Sequence, residues 1–124
     1  LESLGKLYLE DESKIEIKIF ENFKINADLD YLSIALKNLI DNALKYATDF
    51  PIIIKVGKNQ ISILNSGQKL SKDLEYYLKP FTQELMQRDG FGLGLSIVKK
   101  ILDKHNFKLI YNYENEFNIF TIHL

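Results

Sequence analysis

Leu32-Ser33-Ile34-Ala35-Leu36-Lys37-Asn38-Leu39-Ile40-Asp41-Asn42-Ala43-Leu44-Lys45-Tyr46 places apolar residues at positions 32, 35, 36, 39, 40 and 43. That three- and four-residue spacing lays one continuous apolar stripe along an α-helix. Asp28 or Asp30 stands where a cap is needed and Thr48–Pro51 closes the segment, so the pattern predicts a helix over about residues 30–47. Asn38, Asn42, Lys45 and Tyr46 interrupt the stripe at i, i+4, i+7 and i+8, nearly on one face. Asparagine is a mediocre helix former, because its amide competes for nearby backbone groups. Two of them inside so well-patterned a helix call for a reason. An amide oxygen such as that of Asn42 suits Mg²⁺, which takes oxygen ligands and keeps waters and phosphates around it. Lys45 offers a point charge to a phosphate. The plainer reading makes both asparagines solvated helix residues and Tyr46 a rim aromatic.

Strand periodicity flanks this helix. Ile15, Ile17 and Ile19 alternate with Glu16, Lys18 and Phe20, and Phe23-Lys24-Ile25 reads as a hairpin partner across Glu21-Asn22. Residues 1–14 are mixed and acidic, and read as a linker end or a first strand. Residues 52–57 and 60–64 are β-branched runs joined by Lys58-Asn59, predicting two antiparallel strands, the second stopped by Asn65-Ser66-Gly67. Ser71 is expected to cap a short helix over 71–78, and Leu93, Leu95, Ile97, Val98, Ile101 and Leu102 predict a helix over 93–104. Two last strands, 107–113 and 117–124, are joined by Glu114-Asn115-Glu116. Strands that pair locally, with helices gathered on one face, predict a two-layer α/β sandwich. The sheet is expected to be mixed, mostly antiparallel, with about five main strands and three helices on one face. The regular strand–helix alternation of a doubly wound fold is missing.

Composition narrows the class. At 124 residues the chain suits one domain, expected over 15–124. Sixteen basic against seventeen acidic residues leave a formal charge of −1, without the strongly basic face that nucleic acid requires. The absence of cysteine removes disulfides and thiolate metal sites, and two histidines do not make a structural zinc site. No apolar run reaches the eighteen or so residues of a membrane span, and 1–14 carry no signal-peptide core. The first residue is not Met, so the chain is expected to be a soluble domain cut from a longer protein.

Asp89-Gly90-Phe91-Gly92-Leu93-Gly94-Leu95-Ser96 is the second informative stretch. Alternate glycines expose backbone N–H groups and permit close approach of a ligand, and the helix behind them adds its positive end. Phosphate suits such a place. The spacing G-x-G-x-G is neither the dinucleotide fingerprint nor the GK[ST] phosphate loop, and a glycine-rich turn packing a helix on a sheet would read the same. Before it, residues 82–90 lack a core pattern and read as a mobile surface segment.

Together these residues resemble the ATP-binding catalytic domain of bacterial sensor histidine kinases, in the superfamily shared with gyrase B and Hsp90. The family's N-box looks like residues 36–46, its second glycine box like 90–100, and Lys79-Pro80-Phe81 is similar to its F-box. The resemblance runs from about residue 15 to 124 with the boxes in order, and implies a Bergerat-type ATP-binding fold. It implies ATP and Mg²⁺, with Asn42 as the metal ligand, Asn38 as the supporting asparagine, Lys45 as a phosphate contact and Tyr46 beside the nucleotide. Phe81 would precede a short lid over 82–90. Gly90, Phe91, Gly92, Leu93, Gly94 and Leu95 would wrap the phosphates and open the helix.

The first glycine box departs from the family's Asp-x-Gly-x-Gly. Here it reads Asn65-Ser66-Gly67-Gln68-Lys69, with Asn65 in place of the adenine-binding Asp and Lys69 in place of the second glycine. An amide oxygen still accepts a hydrogen bond, but the charge-assisted bond of about 1.5–3 kcal/mol drops to about 1 kcal/mol. Related ATPases carry a water-activating Glu one helical turn before the metal-binding Asn. Asn38 stands there and is no base.

The resemblance therefore implies phosphotransfer from ATP to a protein histidine. The acceptor would lie on a separate dimerisation domain of the same protein, in cis or in trans, for relay to a response regulator receiver domain. His105 and His123 match no acceptor motif, so the domain alone is not expected to autophosphorylate. The isolated domain is expected to be monomeric. Its parent is expected to be homodimeric and held in the bacterial cytoplasmic membrane, with this domain inside the cell. Two alternatives stay open: a serine-directed kinase of the same superfamily, which would want a Glu near position 38, and a degenerate nucleotide fold serving as a docking module. Tyr76, Tyr77, Phe107, Tyr111 and Tyr113 read as ordinary sheet or interface aromatics, and Lys99, Lys100 and Lys104 as a solvated helix face.

Overall fold

The computed structural model describes residues 14–20, 29–78 and 95–124. Phe23-Lys24-Ile25, the F-box with Phe81, the segment 82–90 and Gly90, Phe91, Gly92, Leu93 and Gly94 lie outside the described residues, as does all but Lys14 of the linker expected over 1–14. Strands β1 (Ile15–Ile19), β2 (Ile52–Gly57), β3 (Gln60–Ser66), β4 (Lys108–Glu114) and β5 (Phe117–His123) form one five-stranded sheet in the order β1-β2-β3-β5-β4. Among the described residues the helices are α1 (Leu29–Tyr46), α2 (Leu74–Leu78) and α3 (Leu95–Lys104). No described helix is long and apolar enough to cross a membrane.

The long helix forms where its apolar spacing placed it, with Asp30 in its first turn and Lys45 in its last, each matching the helix dipole. Leu32, Ala35, Leu36, Leu39, Ile40 and Ala43 are buried against Ile52, Ile54, Ile61, Ile63 and Ile122 of the sheet and Leu95, Val98, Ile101 and Leu102 of α3. This single core holds the two layers together. Exposed Lys37–Asp41 and Lys99–Asp103 pairs, at 3.0 and 2.7 Å, decorate the solvent faces and add only tenths of a kcal/mol each. Lys99 and Lys104 lie on the solvated face expected of them, Lys104 with its Nζ 4.8 Å from the Tyr31 ring centre.

β1 pairs with β2 in parallel, Ile15 against Ile52 and Ile17 against Ile54. A parallel neighbour needs a crossover, and α1 supplies it, so one strand–helix–strand unit opens an otherwise antiparallel sheet. The remaining pairs are antiparallel. β4 and β5 meet at Asn115 and Glu116, both with positive φ (52° and 66°), as a tight two-residue hairpin loop demands.

Two described elements differ by more than one residue from the sequence expectation. β3 does not stop before Asn65: Asn65 and Ser66 stay in the ladder, opposite Asn118 and Phe117, because β5 runs beside them and satisfies their backbone. The second helix is Leu74–Leu78 rather than 71–78, and the Ser71 hydroxyl pairs with that of Tyr77, 3.1 Å away, instead of capping it.

Candidate functional site

Register decides where this sandwich becomes polar. On the helix-facing side of the sheet one row reads Val56–Ile61–Ile122–Leu109 and the next Ile54–Ile63–Phe120–Tyr111. The row beyond these is Asn65–Asn118–Tyr113. Apolar packing thus gives way to amides at one end of β3, beneath the C-terminal half of α1.

A cavity of about 470 Å³ opens there. Asn42, Ala43 and Tyr46 line it from α1, Asn65 from β3, Gln68, Lys69, Leu70 and Ser71 from the following loop, Leu95 from the start of α3, and Asn118 and Phe120 from β5. Thr48 and Tyr77 complete the wall. The volume falls within the roughly 300–1,000 Å³ of small-molecule sites, and apolar walls with a few convergent amides are their usual make-up. Lys69 is the one charged side chain among the described lining residues and none of these is acidic, which favours an anionic ligand.

Asn65 is 3% exposed and its Nδ2 donates to the Ser66 carbonyl at 3.1 Å. Its Oδ1 has no partner among the described residues. With the NH₂ engaged, the oxygen remains to accept a bond from a ligand lying in the cavity. An amino group of the kind adenine carries is a donor that such an oxygen accepts. A metal would depend on the Asn42 amide and on the ligand's own oxygens, since no group of three His, Cys, Asp or Glu among the described residues gathers to hold one.

The other expected residues divide. Asn38 does not line this cavity; its Nδ2 donates to the Ile34 carbonyl, 3.0 Å away. Lys45 is exposed at the end of α1, its Nζ 5.3 Å from the Tyr46 ring centre. Gly67 supports the wall from behind: a Cβ built on it would meet the Tyr46 carbonyl oxygen at 3.0 Å. His105 donates from Nδ1 to the Ile101 carbonyl (2.8 Å) at the end of α3 and stacks on Phe107, and it does not line this cavity.

Sequence reasoning named Gly67 and Lys69 of the loop after β3 but passed over Leu70 and Ser71 as cavity residues, and the contributors from β4 and β5. Tyr77, expected to be an ordinary aromatic, lines the cavity, and the Tyr111 and Tyr113 hydroxyls hold the loop that forms its wall. Tyr111 Oη accepts from the Leu70 N–H (3.1 Å) and donates to Asn118 Oδ1, while Tyr113 Oη donates to the Gly67 carbonyl (2.9 Å). Burial pushes the Tyr111 hydroxyl above its ordinary range, against the opposing pull of the Leu70 amide, so it keeps its proton at neutral pH. One signal was available for Asn118: it is an amide at a core-facing position of a strand whose next two such positions are Phe120 and Ile122.

Comparison with known proteins agrees with this geometry. The family described as histidine kinase-, DNA gyrase B- and HSP90-like ATPase matches residues 27–124. The sensor histidine kinase ArsS of Helicobacter pylori is 37% identical over 128 residues, covering 99% of this chain and 30% of that protein. The sensor histidine kinase HprS of Escherichia coli is 33% identical over 124 residues, covering 94% and 27%. The chain therefore spans less than a third of these curated relatives. The nucleotide-free catalytic domain of the histidine kinase ThkA superposes with a TM-score of 0.74 at 25% identity, covering 98% of this chain and 86% of that one. A mixed five-stranded sheet packed by the three described helices, a cavity between α1 and the loop after β3, and a match over 27–124 carry one conclusion: the chain belongs to the histidine kinase-, DNA gyrase B- and HSP90-like ATPase family, as a homologue of histidine kinase ATP-binding domains.

Proposed function

We propose that this chain, as a single domain over 15–124, is the ATP-binding catalytic part of a sensor histidine kinase. It would present the γ-phosphate of ATP to a histidine on a separate dimerisation domain. The observation that carries the reading is the cavity that joins Asn42 and Tyr46 of α1 to Asn65 and to Leu95, the residue that follows the glycine run.

Asn65 would accept from the adenine amino group, with Ala43, Leu70 and Phe120 against the ring. Tyr46 would flank the nucleotide. Asn42 would hold Mg²⁺, with Asn38 beside it on α1, and Lys45 would face phosphate. Bound Mg²⁺ neutralises phosphate charge and so favours attack. Gly90, Gly92 and Gly94 would supply backbone N–H donors to the phosphates, with Phe91 and Leu93 between them and Phe81 at the hinge of the lid. In the transfer a new N–P bond to the acceptor histidine forms as the bond from the γ-phosphorus to the bridging oxygen breaks, and ADP leaves. Asn38 cannot take a proton from water, which favours presentation of the γ-phosphate over its hydrolysis. The acceptor domain and a response regulator receiver would be the partners, and the site would work on the cytoplasmic side of a membrane-anchored homodimer.

Titration with ATP and ADP, with and without Mg²⁺, tests the binding, using wild type, Asn42→Asp and Gly92→Ala. Mg²⁺-dependent binding that both substitutions weaken is expected. Absence of binding up to millimolar nucleotide would replace this reading with that of a docking module. Mixing with a histidine-bearing dimerisation domain should then yield an acid-labile phosphorylated product.

A further inference from the structure

Four backbone groups of the loop that follows β3 are tied to the β4–β5 hairpin. The Gly67 N–H donates to the Glu116 carbonyl at 3.1 Å, and the Gly67 carbonyl accepts from Tyr113 Oη at 2.9 Å. The Gln68 carbonyl accepts from Asn118 Nδ2 at 2.9 Å, and the Leu70 N–H donates to Tyr111 Oη at 3.1 Å. Tyr111 also donates to Asn118 Oδ1, so the two side chains brace each other. The same loop supplies Gln68, Lys69, Leu70 and Ser71 to the cavity wall. A short irregular segment with four of its backbone groups held by one neighbouring hairpin has its course set by contacts within the chain.

We propose that Tyr111, Tyr113 and Asn118 are positioning residues for the nucleotide, clamping the 67–70 loop so that the wall of the cavity is already formed when the base enters. The inference rests on the function proposed above and deepens it. Ordering a loop residue costs conformational entropy, and a site only partly populated in its competent form binds in proportion to that fraction. Lys69 stands where a more pliant glycine would be, and the clamp sets the course of the backbone on either side of it. The hydroxyls act through the loop, not on the ligand, although Asn118 also lines the cavity itself.

The test uses single-atom deletions. Tyr111→Phe leaves the Leu70 N–H and Asn118 Oδ1 without a partner, and Tyr113→Phe does so for the Gly67 carbonyl. Thr121→Val is the control, since it removes a comparable buried bond to Ser62 (2.9 Å) on the opposite face of the sheet. Calorimetric titration with Mg-ADP should show about fivefold to tenfold weaker binding for Tyr113→Phe, the worth of about one hydrogen bond, and at least as large a loss for Tyr111→Phe, which gives up two. Thr121→Val should lose similar stability in urea yet bind as wild type. The Leu70 amide should exchange its hydrogen faster in Tyr111→Phe, with or without nucleotide. Should that variant not fold, Tyr113→Phe and exchange at its loop amides carry the test. Tyrosine variants that bind as wild type, or that weaken no more than Thr121→Val, would overturn the clamp while leaving the function standing. Unchanged exchange would overturn it too. A wild-type chain that binds no ADP would remove the proposed function and the clamp's purpose with it.

Discussion

Gly67 is seated against the end of α1, where a Cβ built on it would come within 3.0 Å of the Tyr46 carbonyl oxygen and 3.4 Å of Asn65 Nδ2. The contact joins the loop after β3 to the helix that carries Asn42, so the two halves of the cavity wall share one spacing. A backbone oxygen cannot swing aside as a side-chain tip can. Gly67→Ala should therefore destabilise the chain by about 1–3 kcal/mol, the usual range for overpacking. Urea unfolding should show a lower midpoint at an unchanged slope.

Asn42 sits half-buried on the cavity side of α1. Asn42→Ala should keep stability within about 1 kcal/mol, because alanine is the better helix former and offsets part of the lost polar contact. The Mg²⁺ dependence of ADP binding should disappear. Titration with and without the metal reads this directly, and a variant that still responds to Mg²⁺ would move the ligand elsewhere.

Leu95 is both core and wall, fully buried and lining the cavity. Leu95→Ala should cost about 2–5 kcal/mol, as large-to-small changes in close-packed cores do. Nucleotide binding should weaken as well, since the added volume removes contacts from one side of the ligand. Thermal unfolding and titration together check it, whereas Ile97→Ala on the exposed face of the same helix should leave both within experimental error.

Ser62 and Thr121 face each other across β3 and β5, both nearly buried, with their hydroxyl oxygens 2.9 Å apart. Ser62→Ala or Thr121→Val alone strands one hydroxyl and should cost about 1–3 kcal/mol. The double variant should cost less than the sum of the two. A double-mutant cycle in urea measures the difference, and strict additivity would show that the pair is not coupled.

Much of this molecule is legible in the chain. The spacing 32, 35, 36, 39, 40 and 43 dictates α1 and its buried face, because helical period and apolar stripe are local properties. The β-branched runs likewise mark β2 and β3, and Asn115 marks the last turn. Asn42, Tyr46, Asn65 and Leu95 are legible as candidate site residues because the N-box and glycine boxes are contiguous motifs, and the structure brings these four candidates to one cavity. The partner of β1 is not legible, since parallel pairing depends on a crossover of more than thirty residues rather than on anything near Ile15. Nor does local pattern show β3 continuing through Asn65 and Ser66, two residues that alone resemble a strand stop. Tertiary structure decided the row Asn65–Asn118–Tyr113, and with it the hydroxyls and amide that brace the 67–70 loop. Alternation states which way each residue of a strand faces, but only the register between strands distant in sequence states which residues stand side by side.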